Sequence, residues 1–87
     1  MALVKKKLIV KSKQGLHARP AALFVQIANK FDSCITVVRD KERVNGKSIM
    51  GILMLGAEKD SEITIEAEGA DANEALSELD KLVSSEG

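Results

Sequence analysis

Residues 62–83 read EITIEAEGADANEALSELDKLV. The first seven alternate, with Ile63, Ile65 and Ala67 apolar and Glu62, Thr64, Glu66 and Glu68 polar. A period of two is that of a strand with one face in a core and the other in water. After Gly69-Ala70 the period changes. Ala72, Ala75, Leu76, Leu79, Leu82 and Val83 fall three and four apart, the stripe of an amphipathic helix. Asp71 and Glu74 stand at capping-box spacing, so Asp71 is expected to cap that helix in the role usually played by Ser or Thr. A one-faced strand followed at once by a one-faced helix implies two layers, with helices on one side of the sheet and water on the other.

The upstream chain repeats this logic. Ser48 precedes the apolar run Ile49, Met50, Ile52, Leu53, Met54, Leu55, which predicts a short helix capped by Ser48 and ended by Gly56. Asn45-Gly46 is a turn signal. Ile35 and Val37 alternate with Thr36 and Val38 in a strand, Arg39 to Glu42 read as a charged turn, and Arg43-Val44 close a short hairpin. Pro20 belongs in the first turn of a helix, where its missing N–H costs nothing. Ala21, Phe24, Val25 and Ala28 then share one helical face, and Asn29 to Ser33 break it. Leu3 to Lys11 is a first strand, with Val4, Leu8 and Val10 on one face and Lys6 interrupting it at the edge of the apolar region. Ser12 to Gly15 is a loop. The order is β-α-β-β-α-β-α. It predicts an α+β fold, a two-layer sandwich of antiparallel sheet and three helices, spanning residues 1–87 as one domain.

The composition excludes several functions. The 87 residues are 45% apolar, with thirteen basic and thirteen acidic side chains. No global field exists to hold a nucleic acid, and the two Phe, the only aromatics, offer no base-stacking platform. Lone Cys34 forms no internal disulfide, and no Cys/His cluster stands at metal spacing, so no metal or cofactor is expected. Lys5-Lys6-Lys7 precede only Leu8-Ile9-Val10, too short for a signal peptide, and no run approaches the roughly 20 residues of a membrane span. A cytoplasmic location follows as the simplest expectation.

His17 is the only histidine, placed between Gly15-Leu16 and the first predicted helix. Backbone N–H groups at such a place lack helical partners, and the helix dipole favours negative charge. Arg19 adds a charged fork. Imidazole is partly neutral near pH 7, so a ring nitrogen is available as nucleophile beside a ready anion site. The residues alone leave two readings open: a surface or N-cap histidine, and a phosphoryl acceptor.

The run Gly15-Leu16-His17-Ala18-Arg19-Pro20-Ala21-Ala22 resembles the active-site signature of the HPr family, the histidine-containing phosphocarriers of the bacterial sugar phosphotransferase system. The element order is similar too, so the resemblance covers the whole chain. It implies an open-faced β-sandwich. It also implies that His17 accepts a phosphoryl group on Nδ1 from phosphorylated enzyme I, drawn from phosphoenolpyruvate, and passes it to enzyme IIA domains. Arg19 would pair with the phosphoryl charge, and the Ala18 and Arg19 amides would complete its binding site. Val44-Asn45-Gly46-Lys47-Ser48-Ile49-Met50-Gly51 resembles the family's regulatory segment, in which HPr kinase/phosphorylase modifies the serine. Ser48 phosphorylation would make the chain a catabolite-repression regulator, with catabolite control protein A among its partners. Gly46 and Gln14 depart from the commonest pattern, and Gly46 is expected to loosen the turn before Ser48. Gly46-Lys47-Ser48 is no P-loop, because Lys41 stands where that motif needs glycine.

Ile49, Ile52 and Leu53 stand at burial spacing, while Met50 and Met54 share another face of the short helix. A Met pair reads either as core or as an adaptable patch. By the resemblance, Ile49, Met50, Leu53, Met54 and Ala22 form the docking surface for enzyme I and enzyme IIA. Docking should be transient, and a monomer suits a shuttle. The chain would be a protein substrate rather than an enzyme. Within the family, members serving nitrogen regulation or lacking the histidine are rivals: His17 argues against the histidine-less kind and the Ser48 segment against the nitrogen kind. A module that only binds a partner, with His17 structural, is the rival from another class.

Overall fold

Glu62–Glu68 is a strand with Ile63, Ile65 and Ala67 fully buried, as its alternation dictates. Around it a computed structural model, describing residues 2–85, places β1 (Leu3–Ile9), α1 (Ala18–Ala28), β2 (Cys34–Arg39), β3 (Glu42–Asn45), α2 (Ile49–Leu55), β4 (Glu62–Glu68) and α3 (Ala72–Val83). The sheet order is β1-β4-β2-β3 and every pairing is antiparallel. Ile65 of β4 stands opposite Lys6 on one side and Val37 on the other. Three helices cover one face, so the open-faced α+β sandwich expected from the pattern is the fold observed.

One core joins the layers. Phe24 and Ala21 of α1, Ile52 of α2 and Leu79 and Val83 of α3 descend on Val37, Ile63 and Ile65, all essentially inaccessible. Burying a side chain such as Phe24 is worth about 2–3 kcal/mol, so these contacts carry a chain that has no disulfide. Lys6 holds the helix-facing register of edge strand β1 and escapes burial by an ion pair with Asp80 of α3, Nζ to Oδ2 2.6 Å. On the open face Arg43 and Lys5 converge on Glu66, at 2.7 and 3.8 Å. These exposed cations leave little stabilisation in each pair.

Two expectations need correction. The charged turn is shorter than residues 39–42: Arg39 and Glu42 pair across β2 and β3, leaving only Asp40-Lys41 to reverse the chain, with Asp40 at φ 55. Asp71 is the residue before α3, yet its side chain caps nothing there. Its carboxylate turns to the α1–β2 loop, where it accepts from the Ser33 hydroxyl and from the N–H groups of Asp32 and Ser33, at 2.9 and 3.0 Å for the amides. Three donors in one loop outcompete the single N–H a cap would satisfy. Ser33 is buried, so this carboxylate satisfies groups that water does not reach.

The Ser33 hydroxyl bond, with help from the Asp32 and Ser33 amides, holds the Asp71 carboxyl below its ordinary range. A depressed folded-state pKa contributes stability above the unfolded value, which is lost as pH falls through the folded one. Wild-type stability should therefore decline below about pH 5. Asp71→Asn should be less stable at pH 7 and show a shallower acid decline, in urea midpoints taken from pH 7 to pH 2.5. An unchanged slope would show that the tie carries no pH dependence.

Candidate phosphoryl site at the mouth of α1

The segment leading to His17 is pinned before the histidine is reached. Gly15 donates to Ser12 O at 3.0 Å and takes φ 65. Leu16 is buried, and its N–H donates to Ala57 O at 2.7 Å, tying the loop to the residue that follows the end of α2. His17 then caps α1 by position only: its backbone is extended, φ −123 and ψ 166, and its side chain makes no capping hydrogen bond. A serine or aspartate there would satisfy the next amides with its own oxygen. Histidine leaves them open. Among the described residues no acceptor meets the N–H of Ala18 or Arg19. Pro20 offers none.

The electrostatics follow from the same residues. The first turn of α1 holds no acidic side chain, so none of its own residues neutralises the positive end of its dipole. Arg19 is exposed and forms no ion pair among the described residues. Ala18 has φ 46, a left-handed conformation costing an alanine about 1–2 kcal/mol. No sequence signal announces it. It allows the chain to turn from the extended His17 straight into the helix. An open depression of about 740 Å³ adjoins, between the 12–16 loop, the start of α1 and the end of α3, with Ala18, Arg19 and Pro20 on its wall. His17 does not line it and stands half-buried beside it. A group on the imidazole would thus lie where a partner protein reaches it.

Ser48 caps α2, its Oγ accepting from Gly51 N at 3.1 Å. Asn29 at the end of α1 donates to Lys47 O at 3.2 Å, and Lys47 Nζ donates to Phe31 O at 2.6 Å. The start of α2 therefore lies at the end of α1, and the end of α2 reaches Leu16 through Ala57. The two helices run antiparallel. Ser48 and His17 are separated by roughly the 16 Å length of the eleven-residue α1. Gly46 does not loosen its turn: its N–H donates to Ile35 O at 2.8 Å, and a Cβ there would lie 2.5 Å from Ile35 Cγ2.

Of the apolar residues of α2, only Ile52 and Leu55 are buried. Ile49 and Leu53, at spacing that favoured burial, stay exposed, as do Met50 at 64% and Met54 at 70%. Ala22 is exposed on α1 with its neighbour Leu23, which sequence reading passed over. Among the described residues no cluster of His, Cys, Asp or Glu suits a metal ion, and no helix is long and apolar enough to cross a membrane.

A family model described as the PTS HPr component phosphorylation site matches residues 4–85. The phosphocarrier protein HPr of Treponema pallidum is 49% identical over 80 residues, 92% of this chain and 91% of that protein. The crystal structure of HPr from Bacillus anthracis superposes with a TM-score of 0.92 at 52% identity, covering 95% of this chain and 99% of the other. The HPr-like protein Crh of Bacillus subtilis is 46% identical over 84 residues, 97% of this chain and 99% of Crh. A crystal structure of Crh, with TM-score 0.77 and 97% of each chain covered, is described as a swapped dimer.

Proposed function

The chain belongs to the HPr family of phosphocarrier proteins, and from that premise we propose that His17 takes a phosphoryl group from cytoplasmic, phosphorylated enzyme I and hands it to sugar-specific enzyme IIA domains. One observation supports this above the others: among the described residues, an imidazole stands beside two unpartnered amides and an unpaired Arg19, at a helix start whose first turn has no acidic residue. A ring nitrogen of His17, by family resemblance Nδ1, attacks phosphorus with its lone pair. As that P–N bond forms, the bond from phosphorus to its donor breaks and the electron pair leaves with the donor. The Ala18 and Arg19 amides and the Arg19 guanidinium face the charged oxygens. Binding there should stay modest and open, because deep stabilisation of the carried group would stop its onward transfer. Among the described residues no base is hydrogen-bonded to the His17 side chain, in keeping with a protein substrate whose partners bring the remaining chemistry. Incubation with enzyme I and labelled phosphoenolpyruvate should put an acid-labile, base-stable label on the chain. A chain that stays unlabelled would remove the carrier reading.

The similarity to Crh, described as the Bacillus subtilis catabolite repression HPr, supports a regulatory role beside this one, which the family resemblance of residues 44–51 assigns to Ser48. The partners there would be HPr kinase/phosphorylase and catabolite control protein A. Ser48 immediately precedes the exposed pair Ile49-Met50 but stands a helix length from His17. Screening over roughly 8 Å at physiological salt makes direct repulsion at the imidazole weak. Negative charge at Ser48 should therefore act on docking. Ser48→Asp is expected to raise the KM of enzyme I for this protein about three- to tenfold at low salt, less at physiological salt, with kcat unchanged. Identical kinetics at both salt concentrations would sink this. The swapped Crh dimer argues against assuming a monomer, so the oligomeric state should be measured with the kinetics.

A further inference from the structure

β2 places Ile35 and Val37 on the helix-facing side of the sheet and buries both. Arg39 continues that register. A face that has been apolar for two positions thus ends in a guanidinium, half-buried and directed toward the helix layer. Its neighbours Asp40 and Glu42 carry carboxylates, yet among the described residues Arg39 pairs with neither. Its Nη1 instead donates to two backbone carbonyls, Leu55 O and Gly56 O, each at 3.2 Å.

Those carbonyls are the end of α2, where acceptors lack helical partners and a positive charge is favoured. The last turn of α2 has no basic residue of its own, so the cation comes from the sheet. Gly56 then turns the chain with φ 62, and the next residue, Ala57, is fully buried. The Ala57 carbonyl holds Leu16 N–H at 2.7 Å, and Leu16 precedes His17. The guanidinium therefore grips the two peptides that precede the one on which the His17 segment hangs.

Resting on the carrier reading, we infer that Arg39 is a positioning residue for phosphoryl transfer at His17. It fixes the end of α2 so that Ala57 O holds Leu16, and with it the imidazole and the Ala18 and Arg19 amides, in one arrangement. It touches neither the phosphoryl group nor the exposed face of α2. Its loss should slow the transfer step and leave docking alone.

The test compares R39M and R39K with wild type in two measurements. Amide exchange at Leu16 is read against Ile65 in the central strand, which reports general loosening. R39M should speed Leu16 exchange roughly two- to fivefold beyond any change at Ile65, the scale of one cation at a helix end. Phosphorylation by enzyme I should show kcat lowered by a similar factor with KM unchanged. R39K, which keeps the charge, should fall between, and it decides the matter should R39M not fold. Leu16 exchange that follows Ile65, an unaltered kcat, or an effect on KM alone would each overturn the inference. Failure of wild type to take up label would overturn the carrier reading itself. Label on wild type with unaffected Arg39 variants would overturn only the role of Arg39.

Discussion

His17→Ala is expected to lose phosphoryl uptake by a factor on the order of a thousand or more, to background, while melting within about 3 °C of wild type. The two halves of that expectation have separate physical origins. Uptake ends because the only imidazole of the chain supplies the nucleophile, and the amides of Ala18 and Arg19 have no lone pair to offer in its place. They bind the group and do not bond to phosphorus. Stability survives because the side chain of His17 holds nothing up. It makes no capping bond, it lies outside the buried cluster, and its extended backbone suits alanine equally well. The loop is held by Leu16 in the core and by the Leu16–Ala57 hydrogen bond, both unaffected by the change. Labelling with enzyme I and a thermal melt by circular dichroism measure both halves. Retained label on the variant would place the acceptor elsewhere, and a melt lowered by 10 °C or more would make His17 structural.

That separation explains which features the sequence makes readable. Strands and helices follow from apolar period, and period is local, so β4, α1 and α3 stand where alternation and stripe place them. His17 is readable because its neighbours in sequence are also its neighbours in the site: helix start, Arg19 and Pro20 come as one run. Arg39 is not, because a charged residue after Val38 looks like the start of a turn. Only the distant end of α2 explains a guanidinium in the helix-facing register. Asp71 fails for a related reason. Capping spacing identifies an available carboxylate but not the donors competing for it, and the winning ones lie 38 and 39 positions away. The exposed face of α2 shows the limit from the other side. Spacing fits Ile49 and Leu53 for burial as well as Ile52, and only the packed structure shows that the core has room for Ile52 and Leu55 alone.

Gly15→Ala should cost about 3 kcal/mol or more, lowering the melting temperature of a domain this size by roughly 12–24 °C. Gly56→Ala provides the comparison. Both glycines have left-handed backbones, φ 65 and φ 62, so both variants bear the strain of that conformation, about 1–2 kcal/mol. They differ in space. A Cβ at Gly56 meets nothing nearer than Met54 O at 3.9 Å, ordinary contact. A Cβ at Gly15 would stand 2.4 Å from Ala57 O and 2.8 Å from Glu58 Cα, both backbone atoms that no rotamer change can move aside. The chain at Gly15 or at Ala57 must therefore give way, and the Leu16 N–H bond to that same Ala57 carbonyl lies directly in the path. Function should suffer with stability. A displacement of about 1 Å in a reacting group can cost on the order of a hundredfold in rate, so Gly15→Ala should take up phosphoryl far more slowly than Gly56→Ala even at a temperature where both are folded. Equal melting temperatures for the two variants would show that the close approach of Gly15 to Ala57 is not what fixes the loop. A Gly15→Ala protein that is destabilised but transfers at the wild-type rate would show that His17 does not depend on that approach for its position.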